Sequence, residues 1–322
     1  MSKYFYILFF LFGIFITLFF SAFKTRVDRK PITKIELGEK LFFSTILSSD
    51  KSISCASCHK PEFAFADNQA FSDGVNGKKT ARNTPSVMNM AMRDKLFWDG
   101  RANSLEDQVI GPIENPNEMN LPFSIAVQRI QLDKKFQSLF KQVYNKKPDS
   151  ASIVDCIAAY ERSLETDQTP NDRWLNDEPN GLTEQQIRGR ELFTSARTRC
   201  FDCHFTPDFT SDEFKNIGLF NGKDLNDSGR YKITKKVEDI GSFKIPGLRN
   251  VAVTAPYMHN GIFKTLREVI DYYDNPSLFV HESINRDTIL PSKIGLSEQE
   301  KLDLESYLHA LTDDRFAKSI KK

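Results

Sequence analysis

Apolar residues run almost unbroken from Tyr4 to Phe23 behind a single early basic residue, Lys3. A run of this length approaches the roughly 20 residues that cross a bilayer and exceeds the core of an ordinary export signal. Residues 1–30 are therefore set apart from the fold, as a signal peptide or as a membrane anchor through residues 4–23. Phe20 and Phe23 flank the small pair Ser21 and Ala22, so no clean cleavage site decides between the two. Beyond this run the apolar positions take helical spacing. The segment "SIVDCIAAYERSL" is a good amphipathic helix pattern, with Cys156 inside it as a buried small hydrophobe. "LGEKLFF" and "RGRELF" correspond to each other, Gly38 with Gly189 and Phe42 with Phe193, and Thr183 with Gln186 predicts a capped start for the second. Between them "TDQTPNDRWLNDEPNG", residues 166–181, reads as a linker, and strand signals are sparse. The pattern predicts an all-α chain in two similar halves, residues 31–165 and 166–322.

At 322 residues the chain can bury one large core or two of ordinary size. Its net charge is +1, and no basic patch interleaved with aromatics suggests nucleic acid. Cysteine and histidine are scarce, five of each, yet four cysteines and two histidines form "CASCH" and "CFDCH", each just after one of the paired helices. Zinc held by four thiolates would leave both histidines surplus. A thioredoxin-type redox pair would follow a strand, and neither motif does. Attachment of a c-type haem uses every residue: Cys55 and Cys58, or Cys200 and Cys203, form thioethers, and His59 or His204 presents its imidazole to the iron. Covalent haem attachment in bacteria takes place outside the cytoplasmic membrane. That expectation of a periplasmic body overrides Lys24, Arg26, Arg29 and Lys30, which by the positive-inside tendency would stay in the cytoplasm.

The sixth iron ligand then separates electron transfer from small-molecule chemistry. No histidine lies between His59 and His204, and Met88, Met90 and Met92 read as core filler, so the first haem is expected to be open. Cleavage of a bound peroxide needs a group that takes a proton from one oxygen and returns it to the other. Gln108 and Glu118 are available, although composition alone makes them ordinary surface polar residues.

"LFWDGRANSLEDQVIGPIENPNEM", with "RNTPS" before it and "PGLRNVAVTAPYMHNGIFKTLREVIDYY" after the second motif, resembles the bacterial dihaem cytochrome c peroxidase and MauG family from about residue 35 to 313. The resemblance implies two cytochrome c-like haem domains packed with their haems near a shared interface. It places peroxide binding at the first haem, the distal pair on Gln108 and Glu118, and the tryptophan between the haems on Trp98. It further implies an interdomain calcium ion held by the Asn83 side chain and the carbonyls of Thr254 and Pro256, oxygen ligands that suit a hard cation. The second haem becomes the electron reservoir, its sixth ligand fourteen positions after His259, on Tyr273, with Met258 and Tyr272 as competitors. His259 itself is expected to hydrogen-bond near that haem, and His281 and His309 to be surface or helix residues.

Some members carry a histidine in the loop after the first motif that blocks the open face until activation. The loop here, "KPEFAFADNQAFSDGVNGKKTARNTP", has none, so the first haem is expected to be open without activation. The activity implied is reduction of hydrogen peroxide to water with electrons from a small cytochrome c or cupredoxin. Oxidation of side chains on a partner protein, as in MauG, and non-enzymatic electron carriage are the alternatives. A membrane tether and a homodimer are both compatible with this reading.

Overall fold

The computed structural model describes residues 30–318, and residues 1–29 of the signal or anchor expected over residues 1–30 lie outside them. Among the described residues no helix is long and apolar enough to cross a membrane. The helices are α1 (Lys34–Phe42), α2 (Cys55–Cys58), α3 (Leu105–Glu114), α4 (Phe123–Leu132), α5 (Lys134–Tyr144) and α6 (Ser150–Arg162), then α7 (Pro170–Leu175), α8 (Glu184–Phe193), α9 (Tyr231–Thr234), α10 (Leu266–Asp274) and α11 (Glu298–His309). The departure from an all-α chain is a two-residue antiparallel ladder, β1 (Phe214–Lys215) with β2 (Phe243–Lys244).

One design is built twice. α1 packs on α6, and α8 packs on α11. Each crossing is made by a glycine that lets the backbones touch: a Cβ on Gly38 would lie 1.8 Å from the Cys156 carbonyl oxygen, and one on Gly189 would lie 2.0 Å from that of Asp303. A turn further on, Phe42 meets Tyr160 with ring centroids 5.2 Å apart, and Phe193 meets Tyr307 at 5.4 Å. Reciprocal caps start α1 (Thr33 with Glu36), α8 (Thr183 with Gln186) and α11 (Ser297 with Glu300), satisfying backbone N–H groups that the helix cannot. Gly189→Val is expected to prevent haem-loaded protein from accumulating, since no rotamer relieves a clash with backbone; haem content and a thermal melt after export would show it.

The segment expected to be a linker is anchored in its first part and exposed over residues 175–180. α7 occupies its middle, started by Thr169 and Asp172, and Thr166, Thr169 and Asn171 are buried. Asn171 N donates to Ala310 O at 3.2 Å, and Asn250 Nδ2 donates to Thr166 Oγ1 at 2.7 Å. Pro, Asn and Asp mark a change of direction, and such residues also cap and bury when the turn is pressed between elements.

Candidate functional site

α2 sets Cys55 and Cys58 one turn apart, and His59 ends it. His59 Nδ1 lies 3.0 Å from Phe65 O, and His204 Nδ1 lies 2.8 Å from Phe209 O. A carbonyl only accepts, so Nδ1 carries the proton in both rings and Nε2 presents its lone pair. Phe65 and Phe209 both turn their backbone through the left-handed region, φ 57° and 55°, to bring that carbonyl round. Burial lowers both imidazole pKa values, resisted by the carbonyls of Phe65 and Pro85 for His59 and of Phe209 and Pro246 for His204. Both rings are thus neutral and oriented, as ligands to iron need to be.

The four motif cysteines are unpaired. Burial pushes Cys58 and Cys200 up to about 11, away from the thiolate that zinc binding or redox exchange requires. Among the described residues no group of three or more His, Cys, Asp or Glu side chains can hold a metal ion. The thiols therefore suit thioether attachment. A cavity of about 230 Å³ opens beside Cys200, Cys203 and His204, walled by Leu304 and Leu308 of α11. These features fit a haem c.

Tyr273 lines that cavity and Tyr272 does not. Tyr272 is fully buried and donates its hydroxyl to Ile217 O at 2.6 Å, within a cluster with Leu219, Phe263 and Val280. Adjacent residues on a helix point about 100° apart, which separates the two phenols. Burial raises the Tyr273 pKa, with Tyr272, Cys200 and Cys203 adding and Arg286 opposing, so a phenolate there requires a facing cation. Met258 also lines the cavity, at φ 72°. The His259 ring stacks on Phe243 at 3.6 Å and meets Trp98 edge-on at 6.4 Å. Burial pulls it down to about 4.

Trp98 lines this cavity and also a neighbouring one of about 100 Å³. Its Nε1 donates to Asn83 O at 2.8 Å, and its carbonyl accepts from Lys244 N of β2 at 2.8 Å, so the ladder that composition did not signal helps seat it. Asn83 Nδ2 donates to Gln69 O at 3.1 Å, and no donor among the described residues reaches its Oδ1 or the carbonyls of Thr254 and Pro256. All three residues line the larger cavity, and these oxygens fit a hard cation.

Gln108 lies on α3, its amide without a partner among the described residues. After α3 the chain folds back, Met119 N to Pro112 O at 3.1 Å, which buries Met119 and leaves Glu118 half-buried. Glu118 is close enough to the first motif for its charge to raise the Cys58 thiol. Burial pushes the Glu118 carboxyl up, opposed by Arg101 and by Asn115, whose Nδ2 donates to Oε1 at 2.7 Å. Sequence reading missed both partners; Asn115, three positions before Glu118 in a Pro- and Asn-rich turn, was the available signal. Met88 is buried, Met90 lines the smaller cavity and Met92 is 87% exposed, which removes Met92 from the iron-ligand candidates.

A family model described as di-haem cytochrome c peroxidase matches residues 32–180. A cytochrome-c peroxidase, IdrP1, of Pseudomonas sp. (strain SCT) is 33% identical over 87% of this chain and 80% of its own. The methylamine utilization protein MauG of Methylophilus methylotrophus is 33% identical over 87% of this chain and 83% of its own. The crystal structure of a MauG-like protein associated with microbial copper homeostasis superposes with TM-score 0.81 at 30% identity, covering 88% of this chain and 90% of that one.

Proposed function

The chain belongs to the di-haem cytochrome c peroxidase and MauG family, and on that premise we propose that it reduces hydrogen peroxide to water in the periplasm. Electrons would come from a small cytochrome c or cupredoxin and enter through the half that carries Cys200, Cys203 and His204. Held by Cys55, Cys58 and His59 and by Cys200, Cys203 and His204, two haems would supply redox-active iron for peroxide reduction. The chain's own residues do the rest. Glu118 takes the proton from one peroxide oxygen and delivers it to the other, while Gln108 donates its free amide to hold the substrate. Trp98, between the two cavities, bridges the halves, and Asn83, Thr254 and Pro256 hold calcium at their junction. Residues 31–165 form the peroxidatic domain and 166–322 the electron-transfer domain.

The observation that carries this reading is Glu118: a half-buried acid near the first motif, with a raised pKa and a side-chain partner that fixes its orientation. A group that must both accept and return a proton works best with its pKa near the operating pH. Arg101 is the charge that restrains the rise. In Arg101→Gln, Glu118 should stay protonated to higher pH, moving the acid limb of the turnover profile to higher pH; an unmoved limb would separate Arg101 from Glu118.

The test mixes reduced protein with peroxide and reduced cytochrome c and follows donor oxidation. Rapid turnover supports the peroxidase. An oxidised state that persists and ignores the donor supports the MauG-like alternative, side-chain oxidation on a partner protein, which Tyr273 in the cavity at Cys200, Cys203 and His204 and the histidine-free loop after His59 favour. A spectrum that peroxide leaves unchanged would mark a plain electron carrier.

A further inference from the structure

The last turn of α6 holds a carboxyl group that the reaction above leaves unused. Glu161 is 4% exposed, and its Oε2 has no hydrogen-bond partner among the described residues. Leaving a buried carboxyl unpaired costs stability, and a native protein keeps such a group for a reason.

The internal repeat tells where Glu161 stands. Gly38 lies over Cys156 and Tyr160, and Gly189 lies over Asp303 and Tyr307. Glu161 follows Tyr160 as Leu308 follows Tyr307. Leu308 lines the cavity beside Cys200, Cys203 and His204. Glu161 therefore occupies the place where α6 would meet a haem on the first motif, and its charge does reach that motif, raising the Cys55 thiol. The two halves differ here by an acid against a leucine.

The neighbouring charges are engaged elsewhere. On α6 itself, Arg162 is gripped by Glu106 of α3 through Nη1–Oε1 at 2.6 Å and Nη2–Oε2 at 2.9 Å. From α1, Lys34 pairs with Asp155 and Glu39 acts on Tyr160. Arg129 of α4 donates to the carbonyls of Ile46, Ser48 and Ser49. Burial pushes Glu161 up to about 8, with Arg162 opposing and Glu106 adding.

We propose that Glu161 holds the proton that accompanies one-electron reduction of the first haem. Iron(III) gains one electron from the donor side while the Glu161 carboxylate gains one proton from solvent, so the net buried charge stays constant; oxidation returns both. An anion at the haem edge stabilises the ferric state, and its neutralisation removes that bias. The inference requires a haem on Cys55 and Cys58 but not the peroxidase reaction.

The test is an optical redox titration of the full-length dihaem protein from about pH 6 to about pH 10, with the first haem read by its own spectrum. In the wild type its midpoint should fall by about 59 mV per pH unit, one electron per proton, in a window around pH 8, and be flat on either side. In Glu161→Gln the midpoint should remain at the wild type's acid-side value throughout. Glu161→Leu, the residue the second half uses here, should give the same flat profile and covers a glutamine variant that fails to fold. The second haem's midpoint should be unmoved by either substitution. A flat wild-type profile, or a slope that survives in the variants, overturns the proposal. Loss of peroxide turnover would count against the proposed function while leaving this readout intact.

Discussion

Glu118→Gln is expected to cut peroxide turnover by about 10²- to 10⁴-fold, the range that general acid–base catalysis contributes, while both haem spectra stay as they were. Glutamine keeps the shape of the side chain and the oxygen that accepts from Asn115 Nδ2 at 2.7 Å, so the turn after α3 should hold. What disappears is the ability to carry a proton. Burial already biases Glu118 toward its neutral form, with Arg101 and Asn115 opposing, so its pKa lies above the usual carboxylate range. Turnover in the wild type should therefore rise with pH through a pKa above that range, as the carboxylate able to accept the first proton becomes available. In Glu118→Gln that limb should vanish along with the rate. Steady-state donor oxidation across pH, with spectra recorded on the same samples, checks both; near-normal turnover would mean that another group moves the proton.

Tyr273→Met is expected to raise the potential of the second haem by on the order of 0.2–0.4 V, a substantial part of the roughly 0.8 V that axial ligands command. A phenolate stabilises iron(III), whereas a thioether favours iron(II). Tyr273 lines the cavity at Cys200, Cys203 and His204, and its surroundings disfavour an anion unless a cation faces it. Spectroelectrochemical titration of wild type and variant decides the ligand. If the potential does not move, Met258 is the ligand, and Met258→Leu should produce the change instead.

Much of this was legible in one dimension. The two C-x-x-C-H motifs name their cofactor because thioether attachment and axial ligation need those residue types within five positions. The correspondence of Gly38 with Gly189 was readable too, since a glycine inside an amphipathic helix marks a close approach. Its partners were not, because Cys156 and Asp303 lie far along the chain. In the Pro- and Asn-rich stretch at 166–181 the burial of Thr166, Thr169 and Asn171 was not legible, because turn-forming residues signal a reversal without saying which of them face inward.

The site separates the two levels more sharply. By itself the sequence determined which groups can be attached and which side chains are chemically able to move a proton. Tertiary structure decided which of them sit together and in what protonation state. Tyr272 and Tyr273 are the same residue type in adjacent positions, and only the helix's rotation gives one to Ile217 O and the other to the cavity. Glu118 is an ordinary glutamate until the chain folds back and half-buries it, and Glu161 is a surface-type residue until α1 and α3 close over α6. Pattern encodes residue type and local spacing; desolvation and the field of distant charges set reactivity, and both exist only once the chain has packed.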